Sequence, residues 1–186
     1  MKNLKYLLLF AFVVSAFCGK SIYKPYQEDV LINGDFEEGT EPPAGWNVSN
    51  PYQTKFITGI DAENVFSGQR CIKIENLEYY DDIRSYYYQN QTTFPKGKEL
   101  EFSAYVKTVD VTIGSAAVIL QAVDHRGNVI DFESTSEYFT INGSNSWRKY
   151  SVKKRISPEA VRLDLVLYHQ GNGTVWFDNA SLIHIK

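Results

Sequence analysis

Short runs in which apolar and polar residues alternate recur along most of the chain. In the segment Lys98–Val109, the side chains of Leu100, Phe102, Ala104 and Val106 would face one way, and the polar residues between them would face the other. A period of two is typical of a strand with one buried face. The same period is found in Cys71–Glu75, Trp147–Arg155 and Val161–Tyr168. We therefore predict β-strands at all four places.

Turn sequences separate these runs and define the fold class. Asp124–Asn128, Asn142-Gly143 and Gly171–Gly173 are rich in Gly and Asn, and turns recur about every 8–15 residues. No window shows a convincing helical period. The pattern favours an all-β fold, an antiparallel two-sheet β-sandwich. Because the chain has 186 residues and no internal repeat, we predict one sandwich domain spanning 30–186.

The two ends of this domain carry acidic residues in apolar stretches. Val30–Phe36 is predicted as the first strand and Val175–Leu182 as the last, with Glu37 just after the first and Asp178 within the last. A buried carboxylate needs a partner that offsets its desolvation, and a cation supplies one. We expect the strands to lie side by side, with Glu37 and Asp178 sharing a structural Ca²⁺. The alternative is that Asp178 caps a backbone turn and Glu37 is solvated.

The start of the chain has the order of a secretory leader. Lys2 and Lys5 precede the apolar run Tyr6–Phe17, which is too short to span a bilayer and predicts a signal peptide over 1–17. Cys18 stands where a lipoprotein signal places its lipidated cysteine. Cleavage after Ala16 by an ordinary signal peptidase is the competing interpretation. Both place the protein outside the cytoplasm, either secreted or on the cell surface as an outer-membrane lipoprotein.

Composition narrows the possible partners. Residues 18–29 are polar and aperiodic, which predicts a tether. The net charge of −3 excludes the basic footprint of a nucleic-acid-binding protein. We expect a monomer that meets a membrane only through a lipid anchor on Cys18.

Tyrosines concentrate between Tyr79 and Gln89, with five in the ten residues 79–88. Tyr86 and Tyr88 would share one strand face with Arg84. A sugar presents flat C–H faces rimmed by hydroxyls, so its binding site needs exposed rings and planar polar groups. These requirements select Tyr79, Tyr80, Arg84, Tyr86, Tyr88, Gln89 and Gln121, the last a polar interruption of an apolar strand. Ordinary packing on the sheet is the alternative interpretation for each tyrosine.

Patterns typical of catalysis are missing from the sequence. Asp81 and Asp82 are adjacent, so on a strand they would point to opposite faces and could not flank one glycosidic bond. The histidines are scattered, no Cys/His spacing is typical of zinc, and no Gly-rich loop precedes a helix. We therefore predict that the protein is not an enzyme.

Four motifs, taken in order, resemble one known family. They are Asn33–Glu37 followed by Gly45-Trp46, Phe66–Ile74 (FSGQRCIKI), Leu100–Lys107 (LEFSAYVK) and Trp176–Leu182 (WFDNASL). Together they are similar to the family 4/9/22 type of carbohydrate-binding module over residues 29–185. The resemblance implies a β-jelly roll of two sheets.

The resemblance also implies site residues and a function. It adds the backbone carbonyls of Asp35 and Arg70, together with Ser67, to Glu37 and Asp178 as Ca²⁺ ligands. It places the sugar-contacting aromatic rings of the concave sheet at Tyr80, Phe132 and Tyr168. The expected function is non-catalytic binding of a polysaccharide or oligosaccharide. The alternative is a structural or adhesion lipoprotein that binds another protein through the same fold.

Overall fold

The computed structural model describes residues 29–52, 55–78 and 83–185. These residues form antiparallel strands and one short 3₁₀ turn, Thr135–Glu137. The strands are β1 (Asn47–Ser49), β2 (Ile57–Asp61), β3 (Cys71–Asn76), β4 (Arg84–Gln91), β5 (Glu99–Val123), β6 (Val129–Ser134), β7 (Ile141–Arg155), β8 (Arg162–Gly171) and β9 (Gly173–Ile185). None of these residues belongs to a helix long and apolar enough to cross a bilayer. The predicted all-β class is confirmed.

One strand of 25 residues, β5, belongs to both sheets of the sandwich. Its first part, from Glu99, pairs with β7 on one side and β9 on the other. Its last part, ending at Val123, pairs with β6 and β8. The first sheet therefore has the order β7-β5-β9-β3-β2, and the second has the order β6-β5-β8-β4-β1. This is the predicted antiparallel two-sheet jelly roll.

The bend between the two parts of β5 requires glycine. Gly114 has φ of +75°, and a Cβ there would lie 2.1 Å from the carbonyl oxygen of Gln170. Gly171 on the facing strand has φ of +90°, and its Cβ would lie 2.1 Å from the carbonyl oxygen of Ile113. The backbones cross so closely that no larger side chain fits at either position. This crossing lets one strand turn from one sheet into the other.

The core lies between the inner faces of the two sheets. Leu100, Phe102 and Ala104 of β5 are fully buried and belong to the same apolar cluster as Leu163 and Leu165 of β8. The alternation predicted for β5 is therefore confirmed. Because alternate side chains of each strand point into the core, the side chains between them lie on the outer face of the sheet. The outward positions of the second sheet form the candidate site.

The prediction of a first strand at Val30–Phe36 is wrong. Asn33 and Phe36 have φ of 49° and 60°, so the segment turns twice where a strand would stay extended. It still lies beside β9. The Val30 N–H donates to the Leu182 carbonyl at 3.2 Å, and the Ala180 N–H donates to the Gly34 carbonyl at 2.7 Å.

Candidate functional site

The outer face of the second sheet holds two adjoining cavities, which we call the groove. The larger has a volume of about 500 Å³ and the smaller about 330 Å³, and Ile119 and Tyr168 line both. The larger is lined by Ser49, Tyr86, Tyr88, Asn90, Ile119, Gln121, Arg162, Asp164, Val166 and Tyr168. The smaller is lined by Arg84, Ser115, Ala117, Ile119, Phe132, Ser134, Ser136, Tyr168 and Gln170. All five strands of the sheet contribute.

Three tyrosines stand side by side along the groove. Tyr86 of β4 is directly opposite Tyr168 of β8, and their ring centroids lie 6.4 Å apart with planes at 26°. Tyr88 follows two residues after Tyr86 on the same face, with a centroid distance of 5.9 Å. All three rings are half-buried. Burial raises the pKa of Tyr168 above the ordinary value, so its hydroxyl stays protonated at neutral pH and can donate a hydrogen bond.

A hydrogen-bonded polar network lines the larger cavity. Asp164 accepts hydrogen bonds from Arg162, whose Nε lies 2.6 Å from Oδ1 and whose Nη2 lies 3.0 Å from Oδ2. Asn90 on β4 donates to the same Oδ1 at 2.7 Å. Gln121 lies opposite Asp164 on the neighbouring strand. The larger cavity therefore offers tyrosine rings beside fixed amide and guanidinium groups.

The smaller cavity has a different polar group. Arg84 at the start of β4 donates to the hydroxyl of Tyr168, which donates to Oε1 of Gln170 at 2.8 Å. Phe132 on β6 is 41% exposed and lines the same space. The cavity thus combines an exposed ring with a cation held at a defined place.

The groove brings together most of the predicted ligand residues. Arg84, Tyr86, Gln121, Phe132 and Tyr168 all line it, although they come from four different strands. Tyr79 and Tyr80 lie outside the described residues, as do Cys18 and the predicted signal peptide.

Gln89 is not a groove residue, which corrects the prediction made for it. It faces the core with 1% of its surface exposed and holds the backbone of Ile32 through two hydrogen bonds, at 2.9 and 2.8 Å. Strand alternation explains the error, since a residue one position after Tyr88 points to the opposite face.

The sequence interpretation also missed Asn90, Arg162 and Asp164. Their signal was present in the chain. Arg162 and Asp164 are an even number of positions from Tyr168, and Asn90 is two positions from Tyr88. On a strand, such residues point to the same face, so all three could have been assigned to the face of the tyrosines.

A second arrangement joins the two ends of the domain through the loop between β2 and β3, residues 62–70. Asp178 is fully buried, and its Oδ2 accepts the N–H groups of Phe66 at 2.8 Å and Ser67 at 3.0 Å. Glu37 Oε1 accepts the N–H groups of Gln69 at 2.7 Å and Arg70 at 3.1 Å. We call Glu37, Asp178 and this loop the clamp.

The guanidinium of Arg70 extends the clamp to the entering chain. It donates to the carbonyl oxygens of Phe36 at 2.8 Å and Gly39 at 2.9 Å. Two residues directly next to the clamp carboxylates have positive φ angles. Phe36, which precedes Glu37, has φ of 60°, and Asn179, which follows Asp178, has φ of 48°. Such strained residues persist only where the surroundings fix them, and they concentrate at functional sites.

Burial and charge act on the clamp carboxylates in addition to their hydrogen bonds. Burial raises the pKa of the Asp178 carboxyl, and the nearby Glu37 charge raises it further, while the amides of Ser67 and Phe66 act in the opposite direction. In the described part of the chain, neither carboxylate has a Lys or Arg ion-pair partner. No group of three or more His, Cys, Asp or Glu side chains is suitably placed for a metal among these residues.

Solved structures share this fold at low sequence identity. A xylan-binding domain of the CBM22 family from Paenibacillus barcinonensis Xyn10C is 16% identical, with a TM-score of 0.57, and the match covers 82% of this chain and 92% of that one. Modules of families 61 and 16 also match. The chain has the fold of a carbohydrate-binding module. The fold implied by the sequence motifs is therefore confirmed.

Proteins of other kinds share the fold too. A Stig cyclase from Fischerella is 15% identical, with a TM-score of 0.64, over 84% of this chain and 96% of that one. The active domain of tailspike protein 4 from bacteriophage CBA120 is 14% identical, with a TM-score of 0.65, and this chain spans about a fifth of its length, 21%. No protein-family model and no curated protein matches the sequence. The fold alone therefore does not decide between a binding module and an enzyme.

Proposed function

We propose that the protein is a non-catalytic module that binds a polysaccharide or oligosaccharide along the groove. The observation that carries the proposal is the row of three tyrosine rings flanked by fixed polar groups on one open sheet face. Rings offer flat apolar surface to the C–H faces of a sugar, and amide or guanidinium groups bind its hydroxyls. A groove that crosses all five strands also suits a chain-like ligand better than a single small molecule.

The chemistry of the groove supports binding over catalysis. Hydrolysis of a glycoside ordinarily uses two carboxyl groups set on either side of the scissile bond. Among the described groove residues, Asp164 is the only carboxylate, and both its oxygens already accept hydrogen bonds from Arg162. A carboxylate held in this way serves to position Arg162 and Asn90.

Binding to immobilised or gel-embedded polysaccharides tests the proposal directly. A panel of xylan, β-glucan, mannan and galactan should contain at least one polymer that retards the protein, and Tyr86→Ala or Tyr168→Ala should remove the retardation. Tyr138→Ala is the matched control, because Tyr138 is an exposed tyrosine outside the groove. Its hydroxyl contacts Glu133, and Glu133 points to the opposite side of β6 from the groove residue Phe132. Retardation by no polymer, or equal loss in the control, would refute the assignment.

The clamp is proposed as a structural Ca²⁺ site. Two neighbouring carboxylates without a cationic side-chain partner fit a hard divalent cation, and the strained backbone beside them fits a site that a bound ion stabilises. Glu37 and Asp178 would supply carboxylate oxygens, with Ser67 and the backbone of Asp35 and Arg70 as the further ligands that the family resemblance implies. The ion would offset the repulsion between the carboxylates and fix the 62–70 loop to both ends of the domain.

The location of the protein remains a proposal from the sequence. We propose a signal peptide over 1–17, a lipid anchor on Cys18 and a tether to a monomeric domain that begins near residue 30. Metabolic labelling with a palmitate analogue should mark the wild type and leave Cys18→Ala unlabelled. Unlabelled wild-type protein recovered from the medium would favour cleavage after Ala16.

A second candidate function is contact with another protein through the edge of the second sheet. Among the described strands, β6 pairs only with β5, so its other edge is unpaired. Ile130 and Phe132 on β6, and Tyr138 and Phe139 just after it, are all exposed, which is unusual for neighbouring apolar residues. Cross-linking in the native cell envelope should then trap a partner that Ile130→Glu and Phe139→Glu both lose.

A further inference from the structure

The two cavities of the groove differ in charge. In the larger cavity Arg162 and Asp164 form a bidentate ion pair and cancel each other. In the smaller cavity Arg84 is exposed, and no carboxylate of the described residues lies within ion-pairing distance of it. The described part of the groove therefore carries one uncompensated positive charge, and it lies at the smaller cavity.

The geometry around Arg84 leaves most of its donors available. A guanidinium has five N–H donors in a planar fork, and here one contact is to the hydroxyl of Tyr168. That contact and the Tyr168–Gln170 hydrogen bond fix the position of the cation without neutralising it. A planar fork of this kind matches a carboxylate, which it binds through two parallel hydrogen bonds.

We infer that the smaller cavity takes a uronic acid residue of the bound polysaccharide, with its carboxylate on Arg84. The exposed ring of Phe132 lines the same cavity and offers apolar surface to the pyranose ring. Ser115, which is half-buried, and Ser136, which is exposed, add hydroxyl groups that can bind the hydroxyls of the sugar. This inference rests on the proposed function, since it names the class of sugar that the same groove selects.

Chemical carboxyl reduction provides the test, because it converts a uronate into the corresponding neutral sugar without changing the backbone. Affinity would be measured for glucuronoxylan, polygalacturonate and alginate, each beside its carboxyl-reduced form. At least one acidic polymer should bind about tenfold more tightly than its reduced form, which is the effect of one charge-assisted hydrogen-bond pair. The difference should shrink as salt is added.

Three variants separate the specificity from the binding itself. Arg84→Gln should bind both forms of the polymer with the affinity that the wild type has for the reduced form. Lys153→Gln removes one positive charge from the outer face of the opposite sheet and should keep the preference. Tyr86→Ala should weaken both forms to a similar degree.

The outcomes distinguish this inference from the proposed function. If the wild type binds the acidic and the reduced polymers equally, or if Arg84→Gln keeps the preference, the uronate assignment is wrong and glycan binding stands. The assignment would also be overturned if dextran sulfate displaced the bound acidic polymer as well as the free acidic polymer does. The cavity would then respond to negative charge of any kind. If neither form of any polymer binds, the proposed function fails as well.

Discussion

Both sheets of the sandwich carry aromatic side chains on their outer faces, but in the described part of the chain a loop lies over the rings of one face and not over those of the other. On the second sheet Tyr86, Tyr88 and Tyr168 line the groove. On the first sheet Phe66 of the 62–70 loop stacks on Tyr105, with ring centroids 3.6 Å apart and planes at 15°, so the loop covers the aromatic part of that face. Aromatic content alone therefore does not mark a binding face. The placement of one loop decides it.

The covering loop is fastened by the same clamp that joins the ends of the domain. Phe66 and Ser67 donate to Asp178, and Gln69 and Arg70 donate to Glu37. On the far side of the loop, Trp176 Nε1 donates to Asp61 at 2.7 Å, and Lys107 donates to Asn64 at 2.8 Å. The closed face is thus held by polar contacts at both margins, whereas the groove has no such cover among the described residues.

The largest expected effect comes from releasing that cover. Asp178→Ala removes a buried acceptor of three backbone N–H groups and should lower the free energy of unfolding by about 3 kcal/mol, measured by urea denaturation. Asp124→Ala is the matched control, because Asp124 also accepts backbone N–H groups but in an exposed hairpin turn. Its cost should be clearly smaller. Equal costs would mean that burial of the clamp carboxylate does not matter.

Removal of the proposed ion should weaken the closed face in the same way. EDTA should lower the melting temperature of the wild type, and Asp178→Ala should show no such response. Tyr86→Ala, which changes only the open face, should keep the full response. A wild-type melting curve that EDTA leaves unchanged would exclude a stabilising Ca²⁺.

Acid should act on the core behind the open face. His169 of β8 is fully buried with its ring against Phe56 at 5.7 Å, and burial lowers its pKa to about 4. In the unfolded chain the histidine has its ordinary pKa of about 6.5. The full free energy of unfolding is therefore present above that pH, and it falls by about 3 kcal/mol as the pH drops towards 4.

The control for this effect removes the titrating group. The stability of His169→Leu should depend less on pH between 7.5 and 4.5 than that of the wild type, whereas His125→Gln, in the exposed hairpin turn, should behave as the wild type does. Parallel pH profiles for the wild type and His169→Leu would contradict the assignment.

A pair of tyrosine variants should separate the two faces by function. Tyr86→Ala should weaken polysaccharide binding about tenfold with little loss of stability, whereas Tyr105→Ala should leave binding unchanged and lower stability by about 1 kcal/mol through the lost stack with Phe66. Affinity gels and urea denaturation of both variants measure the contrast. Loss of binding in Tyr105→Ala would show that the covered face also meets the ligand.

The smallest effect concerns the margin of the covered face. Lys107 lies over the ring of Trp176, with its Nζ 5.0 Å from the centroid. Lys107→Met should cost about 0.5–1 kcal/mol in unfolding free energy, and the loss should be nearly independent of salt because a cation–π contact at short range is weakly screened. Lys153→Met, on the same outer face, should cost less.

The alternation of side chains along the strands accounts for what the sequence predicted correctly about the two faces. The period of two placed Leu100, Phe102 and Ala104 in the core and Tyr86 beside Tyr88 on an outer face. The same rule, applied along the whole strand, would have excluded Gln89 and found Asp164. The sequence alone therefore contains enough information to place Gln89 in the core and Asp164 on the outer face.

Other features could not be predicted from the period. The bend of β5 depends on Gly114 meeting Gly171, a contact between positions 57 residues apart in the chain. The cover on the first sheet depends on where a loop between two strands folds back, which alternation does not encode. Phe36 looks like a strand residue by its side chain, yet it adopts a positive φ because the clamp around it fixes the backbone.

The continuous strand β5 has a mechanical consequence for a protein that holds a polymer. A pull on a chain lying in the groove acts on the second sheet, and β5 passes the force through covalent bonds into the opposite sheet, where it pairs with β7 and β9. The two sheets cannot be peeled apart at their apolar interface while this strand is intact. A proteolytic nick between Val109 and Gly114 would cut that direct path and leave the load to side-chain packing and to the connections between strands of different sheets, such as Asn172 between β8 and β9.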